Sequence, residues 1–123
     1  MPTKILAVDD SPTMRMLLRA TLTAQGFDVR DAEDGIAALD LLDGADERPD
    51  LVITDINMPR LDGFGLIAEL RARPPFKDTP ILVLSTESAP EKKAVARRAG
   101  ATGWLVKPFD PVSLAAAIRR VLH

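Results

Sequence analysis

Side chains that could do chemistry follow the ends of four short apolar runs in this 123-residue chain. The runs span residues 5–8, 51–53, 81–84 and 104–106. They are followed in turn by Asp9 and Asp10, by Thr54 and Asp55, by Ser85, and by Lys107. If the runs are neighbouring parallel strands, their carboxyl ends meet at one edge of a sheet, where open α/β sheets bind ligands. The pattern therefore predicts a functional pocket at that edge.

The carboxylates of this pocket predict a cation site. Because like charges a few ångströms apart disfavour joint ionisation, Asp9, Asp10 and Asp55 need either protons or a cation among them. A divalent metal is the simpler solution, since the ligand atoms are oxygens and the chain has one His and no Cys. An open acidic site with room for water and phosphate favours Mg²⁺ over a closed Ca²⁺ cage, with Mn²⁺ as a substitute metal.

A carboxylate beside such a metal can act as a nucleophile toward phosphorus. The product is an acyl phosphate, which forms when the metal and nearby donors absorb the charge on the transferring group. Ser85 and Lys107 are suitable donors at the neighbouring strand ends. The residues therefore indicate phosphoryl transfer to one of the aspartates.

The segments between the apolar runs predict helices. Apolar residues recur at helical spacing in four of them: Met14, Leu17, Leu18 and Leu22; Ile36, Leu39 and Leu42; Phe64, Ile67 and Leu70; and Leu114, Ala117, Ile118, Val121 and Leu122. A fifth, more charged helix near 94–99 is expected to pack loosely and to end at Gly100. Segment 27–32 alternates apolar and polar residues, which is typical of an edge strand. Five strands alternating with five helices predict a three-layer α/β sandwich.

Length and composition indicate one domain spanning residues 1–123. The 16 basic and 18 acidic residues are scattered and leave a formal charge of -2, which argues against nucleic acid as the principal partner. Neither a signal peptide nor an apolar stretch of membrane-spanning length is evident, so membrane insertion is not expected. With no cysteine and hence no disulfide framework, a cytoplasmic protein is the expectation.

These residues resemble the receiver domain of two-component response regulators over essentially the whole chain. The matching motifs are Asp9-Asp10, Asp55-Ile56-Asn57-Met58-Pro59 followed by Asp62-Gly63, Ser85, and Lys107-Pro108-Phe109. The resemblance implies a doubly wound (βα)5 fold whose parallel sheet has the order 2-1-3-4-5, as in flavodoxin and CheY. It also implies that Asp55 accepts a phosphoryl group from a phosphohistidine of a sensor kinase.

The same resemblance implies a role for each residue of the pocket. Mg²⁺ would be held by Asp9, Asp10, Asp55 and the backbone carbonyl of Asn57. Ser85 and Lys107 would each contact a phosphoryl oxygen, Ser85 and Trp104 would form the switch, and the Lys107–Pro108 bond would be cis. Such a receiver is not an enzyme, apart from catalysing its own phosphoryl transfer and slow autodephosphorylation.

A narrower resemblance is to chemotaxis regulators of the CheY type. Asn57 and Glu87 match positions that tune phosphoryl lifetime there, whereas Thr86 stands where a smaller residue is usual and Trp104 replaces the commoner Tyr or Phe. This resemblance implies a monomer phosphorylated by a CheA-like histidine kinase or a phosphotransfer protein. The face of helix four, strand five and helix five would then signal to an output protein such as a flagellar motor switch component.

Several alternatives remain open from the sequence. A phosphorelay shuttle or phosphate sink would return the phosphoryl group to a histidine. An aspartyl-phosphate hydrolase of the haloacid-dehalogenase kind would carry a second Asp two places after the first, where this chain has Asn57. A flavodoxin-like nucleotide binder would need a phosphate-binding loop where Asp9 and Asp10 repel phosphate. Residues 9–12 could also be no more than a helix cap.

Overall fold

The computed structural model describes residues 2–44 and 48–122, along which strands and helices alternate. The strands are β1 Lys4–Val8, β2 Asp28–Ala32, β3 Leu51–Thr54, β4 Ile81–Ser85 and β5 Gly103–Val106. The helices are α1 Pro12–Ala24, α2 Gly35–Gly44, α3 Gly63–Ala72, α4 Pro90–Ala99 and α5 Pro111–Leu122. A 3₁₀ turn at Pro74–Phe76, which the apolar spacing does not predict, follows α3. No helix in these ranges is both long and apolar enough to cross a membrane.

The strands form one parallel sheet in the order β2-β1-β3-β4-β5, which confirms the predicted order. Central strand β3 is buried along its whole length, as its apolar run at residues 51–53 predicts. Strand β2 lies at one edge, with Val29 buried and its neighbours Asp28 and Arg30 exposed. The alternation of apolar and polar residues in segment 27–32 therefore predicted an edge strand correctly.

Two apolar clusters, one on each face of the sheet, form the core. Successive side chains of a strand point to opposite faces, so Leu6 of β1 joins one cluster and Ile5 the other. The Leu6 cluster includes residues of α2, α3 and α4, whereas the Ile5 cluster includes residues of α1 and α5. This arrangement is the predicted three-layer sandwich, and it leaves the carboxyl edge of the sheet for the site.

Three of the four apolar residues that predict α1 form its packed face. Leu18 and Leu22 are buried and Met14 packs against their cluster, but Leu17 is 48% exposed. Met14, Leu18 and Leu22 are four residues apart and form one stripe, whereas Leu17 lies to the side of it. Leu17 therefore lies in the predicted helix but outside its buried stripe.

Helix α4 is lightly packed along its length and held at its C-terminal end. Ala96 is its only fully buried residue among 90–99, in agreement with the predicted loose packing. The helix ends at Gly100, whose φ of 117° is left-handed, as a terminating glycine allows. Arg71 of α3 donates to the Gly100 carbonyl oxygen from Nε (3.1 Å) and Nη2 (2.8 Å). The Arg71 Nη1 donates to the Phe76 carbonyl oxygen (2.7 Å), so the guanidinium ties α4 to the 3₁₀ turn.

Candidate functional site

Three carboxylates meet at the carboxyl edge of the sheet. Asp9 follows β1 and Asp55 follows β3, and the sheet bonding continues into both, because the Asp9 N–H donates to Ala32 O (3.1 Å) and the Asp55 N–H to Val8 O (2.9 Å). One carboxylate oxygen from each of Asp9, Asp10 and Asp55 lies within 4.8 Å of the others. Asp9 and Asp55 are buried, whereas Asp10 is exposed toward solvent. The cluster is thus accessible from one side.

Lys107 places an ammonium group between the two buried carboxylates. Its Nζ donates to Asp9 Oδ2 (2.6 Å) and to Asp55 Oδ2 (3.2 Å). Burial by itself lowers the pKa of Lys107, but hydrogen bonds and charge from Asp9 and Asp55 outweigh it, and the pKa is raised. Lys107 therefore stays cationic at neutral pH. Three carboxylates with one ammonium leave two negative charges, which a divalent cation would balance.

Backbone donors orient the second carboxylate oxygen of Asp9 and of Asp55. Asp9 Oδ1 accepts from the Ser11 N–H (2.9 Å), and Asp55 Oδ1 accepts from the Ile56 N–H (2.7 Å). Asn57, whose backbone carbonyl is the expected fourth ligand group, is exposed and lies two residues after Asp55. This all-oxygen donor set fits a hard cation such as Mg²⁺.

Ser85 and Trp104 both bond to the backbone of Glu87. Ser85 is fully buried at the end of β4, and its Oγ accepts from the Glu87 N–H (3.2 Å). The half-buried Trp104 donates from Nε1 to the Glu87 carbonyl oxygen (2.9 Å). Thr86, between Ser85 and Glu87 in the sequence, is exposed. The two predicted switch residues are therefore joined through the loop that leads into α4.

The structure brings most of the predicted site residues to one edge. Asp9, Asp10, Asp55 and Lys107 form one cluster, and the Lys107 N–H donates to Ser85 O (2.8 Å) on the adjoining strand. The Lys107–Pro108 peptide bond is cis, as the resemblance implies.

The contacts of two arginines were not predicted from the sequence. Arg15 Nη1 donates to the Asp9 carbonyl oxygen (2.6 Å), and its Nε lies 3.5 Å from an Asp31 oxygen. Arg15 lies one helical turn after the cap at Ser11, and side chains of a helix point toward its N-terminus. The contact of Arg15 with Asp9 could therefore have been predicted from this spacing. Arg60 pairs with Asp34, 26 residues away, and no local pattern indicates that contact.

Gly63 occupies a position where a side chain does not fit. A Cβ there would lie 2.2 Å from the Asp55 carbonyl oxygen, and the Gly63 N–H donates to Ile56 O (2.8 Å). Because the obstacle is backbone next to the site, we expect Gly63→Ala to lower the free energy of unfolding by about 3 kcal/mol in urea titrations. A Cβ at Gly44, at the end of α2, would meet nothing within 4 Å, so Gly44→Ala should change stability by less than about 1 kcal/mol. Equal losses in the two variants would contradict this account.

A doubly wound parallel sheet with acidic groups and a lysine at its carboxyl edge defines the class as an α/β domain with a ligand site at the strand ends. A model of the response regulator receiver domain matches residues 5–119, and the chain belongs to that family. It is 41% identical over 120 residues to the chemotaxis protein CheY homolog of Campylobacter jejuni, covering 97% of this chain and 92% of that protein.

Solved structures agree with this assignment. The chemotaxis protein CheY4 of Vibrio cholerae matches with a TM-score of 0.93 and 45% identity, covering 98% of this chain and 99% of that one. The receiver domain of the sensor histidine kinase PA1611 from Pseudomonas aeruginosa, solved with magnesium coordinated in its active site cleft, matches with a TM-score of 0.89 and 28% identity, covering 99% and 98%. The predicted family, the fold and the similarity to CheY are confirmed.

Proposed function

We propose that this protein is a response regulator that accepts a phosphoryl group on Asp55 from a phosphohistidine of a histidine kinase. The observation that carries the proposal is the contact of the Lys107 Nζ with Asp9 and Asp55. It places a buried carboxylate beside a cation and two further acidic groups, the arrangement that phosphoryl transfer to a carboxylate needs.

The transfer exchanges one bond to phosphorus for another. A carboxylate oxygen of Asp55 forms the new P–O bond while the P–N bond of the donor histidine breaks. The electron pair of that bond stays on the imidazole nitrogen, which takes up a proton from solvent. Lys107 lies within reach of Asp55 and can pair with a phosphoryl oxygen as negative charge arrives. In this proposal the protein catalyses this transfer and a slow autodephosphorylation, in which water attacks phosphorus and the P–O bond to Asp55 breaks to release inorganic phosphate. It is otherwise not an enzyme.

Mg²⁺ is the metal that the acidic cluster fits best. Asp9, Asp10, Asp55 and the carbonyl of Asn57 would hold it, and Mn²⁺ could take the same place. When bound, the metal supplies positive charge that neutralises the phosphoryl oxygens. The magnesium ion in the cleft of the related PA1611 receiver domain supports this choice.

Phosphorylation would act on the loop that Ser85 and Trp104 share. In the unphosphorylated structure the Ser85 hydroxyl accepts from the Glu87 N–H, and Trp104 donates to the Glu87 carbonyl oxygen. The added charge would attract the Ser85 hydroxyl and so disturb this loop. A hydrogen bond to a charged group is worth about 1.5–3 kcal/mol, whereas inverting a 1:99 population needs about 5.5 kcal/mol. Ser85 alone is therefore insufficient, and Lys107 and partner binding must contribute.

The output surface in this proposal is the face of α4, β5 and α5. The similarity to chemotaxis proteins favours a cytoplasmic monomer phosphorylated by a CheA-like kinase, with a flagellar motor switch component as its partner. A second candidate is a phosphorelay shuttle, favoured by the likeness to the receiver domain of a sensor histidine kinase. Return of the phosphoryl group to a histidine phosphotransfer protein, without capture of a motor switch protein, would select the second candidate.

Fluorescence of Trp104, the only tryptophan, provides a direct test of the proposed function. We expect Mg²⁺ followed by acetyl phosphate or beryllium fluoride to change its emission, because the indole is bonded to the Glu87 loop. Asp55→Ala should abolish the response, whereas Asp62→Asn, on the same segment, should retain it. A response of equal size in Asp55→Ala would show that the signal does not arise from the site.

A further inference from the structure

The loop that carries Asn57 contains a tight turn with a left-handed residue. We refer to residues 56–63, which end at the first residue of α3, as the 56–63 loop. Within it, the Leu61 N–H donates to Pro59 O (2.7 Å), which closes a three-residue turn around Arg60. Arg60 has a φ of 67°, a conformation uncommon for any residue other than glycine. Because the surrounding structure must hold such a conformation in place, the contacts of Arg60 are informative.

Arg60 forms a two-pronged ion pair with Asp34, which precedes α2. Nε donates to Asp34 Oδ2 (2.7 Å) and Nη2 to Oδ1 (3.0 Å). Asp34 is 3% exposed, and its Oδ1 also accepts from the Ala37 N–H (2.8 Å), so one carboxylate caps α2 and holds Arg60. The hydrogen bond from Arg60 lowers the pKa of Asp34 despite the opposing effect of burial. The pair is therefore fully charged at neutral pH.

A backbone contact beside the ion pair joins the same two segments. The Gly35 N–H donates to Leu61 O (3.1 Å), and a Cβ at Gly35 would lie 2.7 Å from that oxygen. The first turn of α2 thus lies directly against the 56–63 loop. Ala38 in that turn is fully buried in the core, so α2 offers a fixed support.

We propose that Arg60 is a positioning residue for the metal site, because it anchors the 56–63 loop to α2 and so holds the Asn57 carbonyl in place for Mg²⁺. This inference rests on the proposed function. A backbone carbonyl has no rotamers, and its direction depends on the conformation of the loop. Partners that orient metal ligands typically contribute 10- to 100-fold to affinity.

Long-range charge predicts the opposite effect of removing Arg60. The guanidinium repels a divalent cation, so its loss should tighten Mg²⁺ binding if charge alone matters. Loss of positioning should weaken binding. The sign of the change therefore separates the two explanations.

The test is calorimetric titration of the full chain with MgCl₂, without a phosphoryl donor. Arg60→Asn is the informative variant, because Asn tolerates the left-handed conformation but lacks the guanidinium fork. Its Kd for Mg²⁺ should be about tenfold higher than that of wild type. Asp34→Ser still caps α2 but removes the carboxylate, and it should give the same rise. The double variant should lie no higher than either single variant, since both lose one shared link.

Two further variants keep the result interpretable. Arg98 is an exposed residue of α4. Arg98→Asn removes one positive charge, as Arg60→Asn does, and should leave the Kd for Mg²⁺ within about twofold of wild type. Arg60→Gly adopts a positive φ freely, and it should show the same rise even if Arg60→Asn fails to fold. An unchanged or lower Kd in the folded Arg60 variants, beside normal wild-type binding, overturns this inference alone. No Mg²⁺ uptake by wild type would overturn the proposed function and this inference together.

Discussion

Asp55→Asn is expected to lose phosphoryl incorporation from acetyl phosphate or from a phosphorylated kinase. The amide keeps the shape of the side chain and can still accept the Ile56 N–H, but its oxygen is not an anionic nucleophile. Removing a nucleophile can cost an enzyme about 10⁶-fold in rate, so incorporation of radiolabelled phosphate should fall by at least about a thousandfold. The measurement is the initial rate of label retained by the protein in the presence of Mg²⁺.

Asp62→Asn is the matched control for this variant. Asp62 is exposed on the same segment, and its Oδ1 caps α3 by accepting the Gly65 N–H (2.8 Å). Asn caps helices as well as Asp does, so the control makes the same chemical change without loss of stability. It should incorporate phosphate at the wild-type rate. Incorporation by Asp55→Asn at that rate would mean that the acceptor is wrongly assigned.

Of the variants proposed here, Lys107→Met should lose the most stability when unfolding is measured without Mg²⁺. The side chains of Asp9 and Asp55 are only 2% and 12% exposed, and both bond to the Lys107 Nζ. Methionine keeps the apolar length of the side chain but leaves two buried carboxylates without their cation. Breaking a buried pair in this way costs about 3–5 kcal/mol, which urea unfolding without Mg²⁺ would measure.

Two comparisons test the cause of that loss. Mg²⁺ should restore part of the stability by binding the folded state, and Asp9→Asn in the Lys107→Met background should restore part of it without metal. Lys92→Met, on the exposed face of α4, changes net charge equally and should alter stability by less than about 0.5 kcal/mol. A similar loss in both lysine variants would rule out the buried ion pair as the cause.

The edge of the sheet that carries the site was predictable because simple rules place it. Continuous apolar runs indicate buried parallel strands, and the residue after each run must then lie at the carboxyl edge. Asp9, Asp55 and Lys107 come together for this reason. Strand order and the separate role of each residue were less accessible, since apolar spacing does not distinguish one parallel order from another, and they depended on the family resemblance.

Contacts made by loops were not predictable. The left-handed Arg60 is stabilised by Asp34, 26 residues away, and nothing in the local sequence requires an arginine to adopt that conformation. Similarly, Glu87 was singled out as a position that tunes phosphoryl lifetime, and the bonds of its backbone to Ser85 and Trp104 were not predicted. Loop conformation depends on such distant partners, which periodicity does not record.

Arg71 fixes the C-terminal end of α4 by donating two hydrogen bonds to the Gly100 carbonyl oxygen, and in the proposed switch this end would be the pivot of the helix. The opposite end of the helix continues from the Glu87 loop, so displacing that loop would swing the helix about its clamped end and not slide it along its axis. A 10-residue helix is about 15 Å long, and moving its leading end by about 2 Å tilts it by roughly 8°. Residues near Pro90 would then be displaced the most and Ala99 the least. A partner that binds the first turn of α4 would therefore encounter the largest displacement of its binding surface.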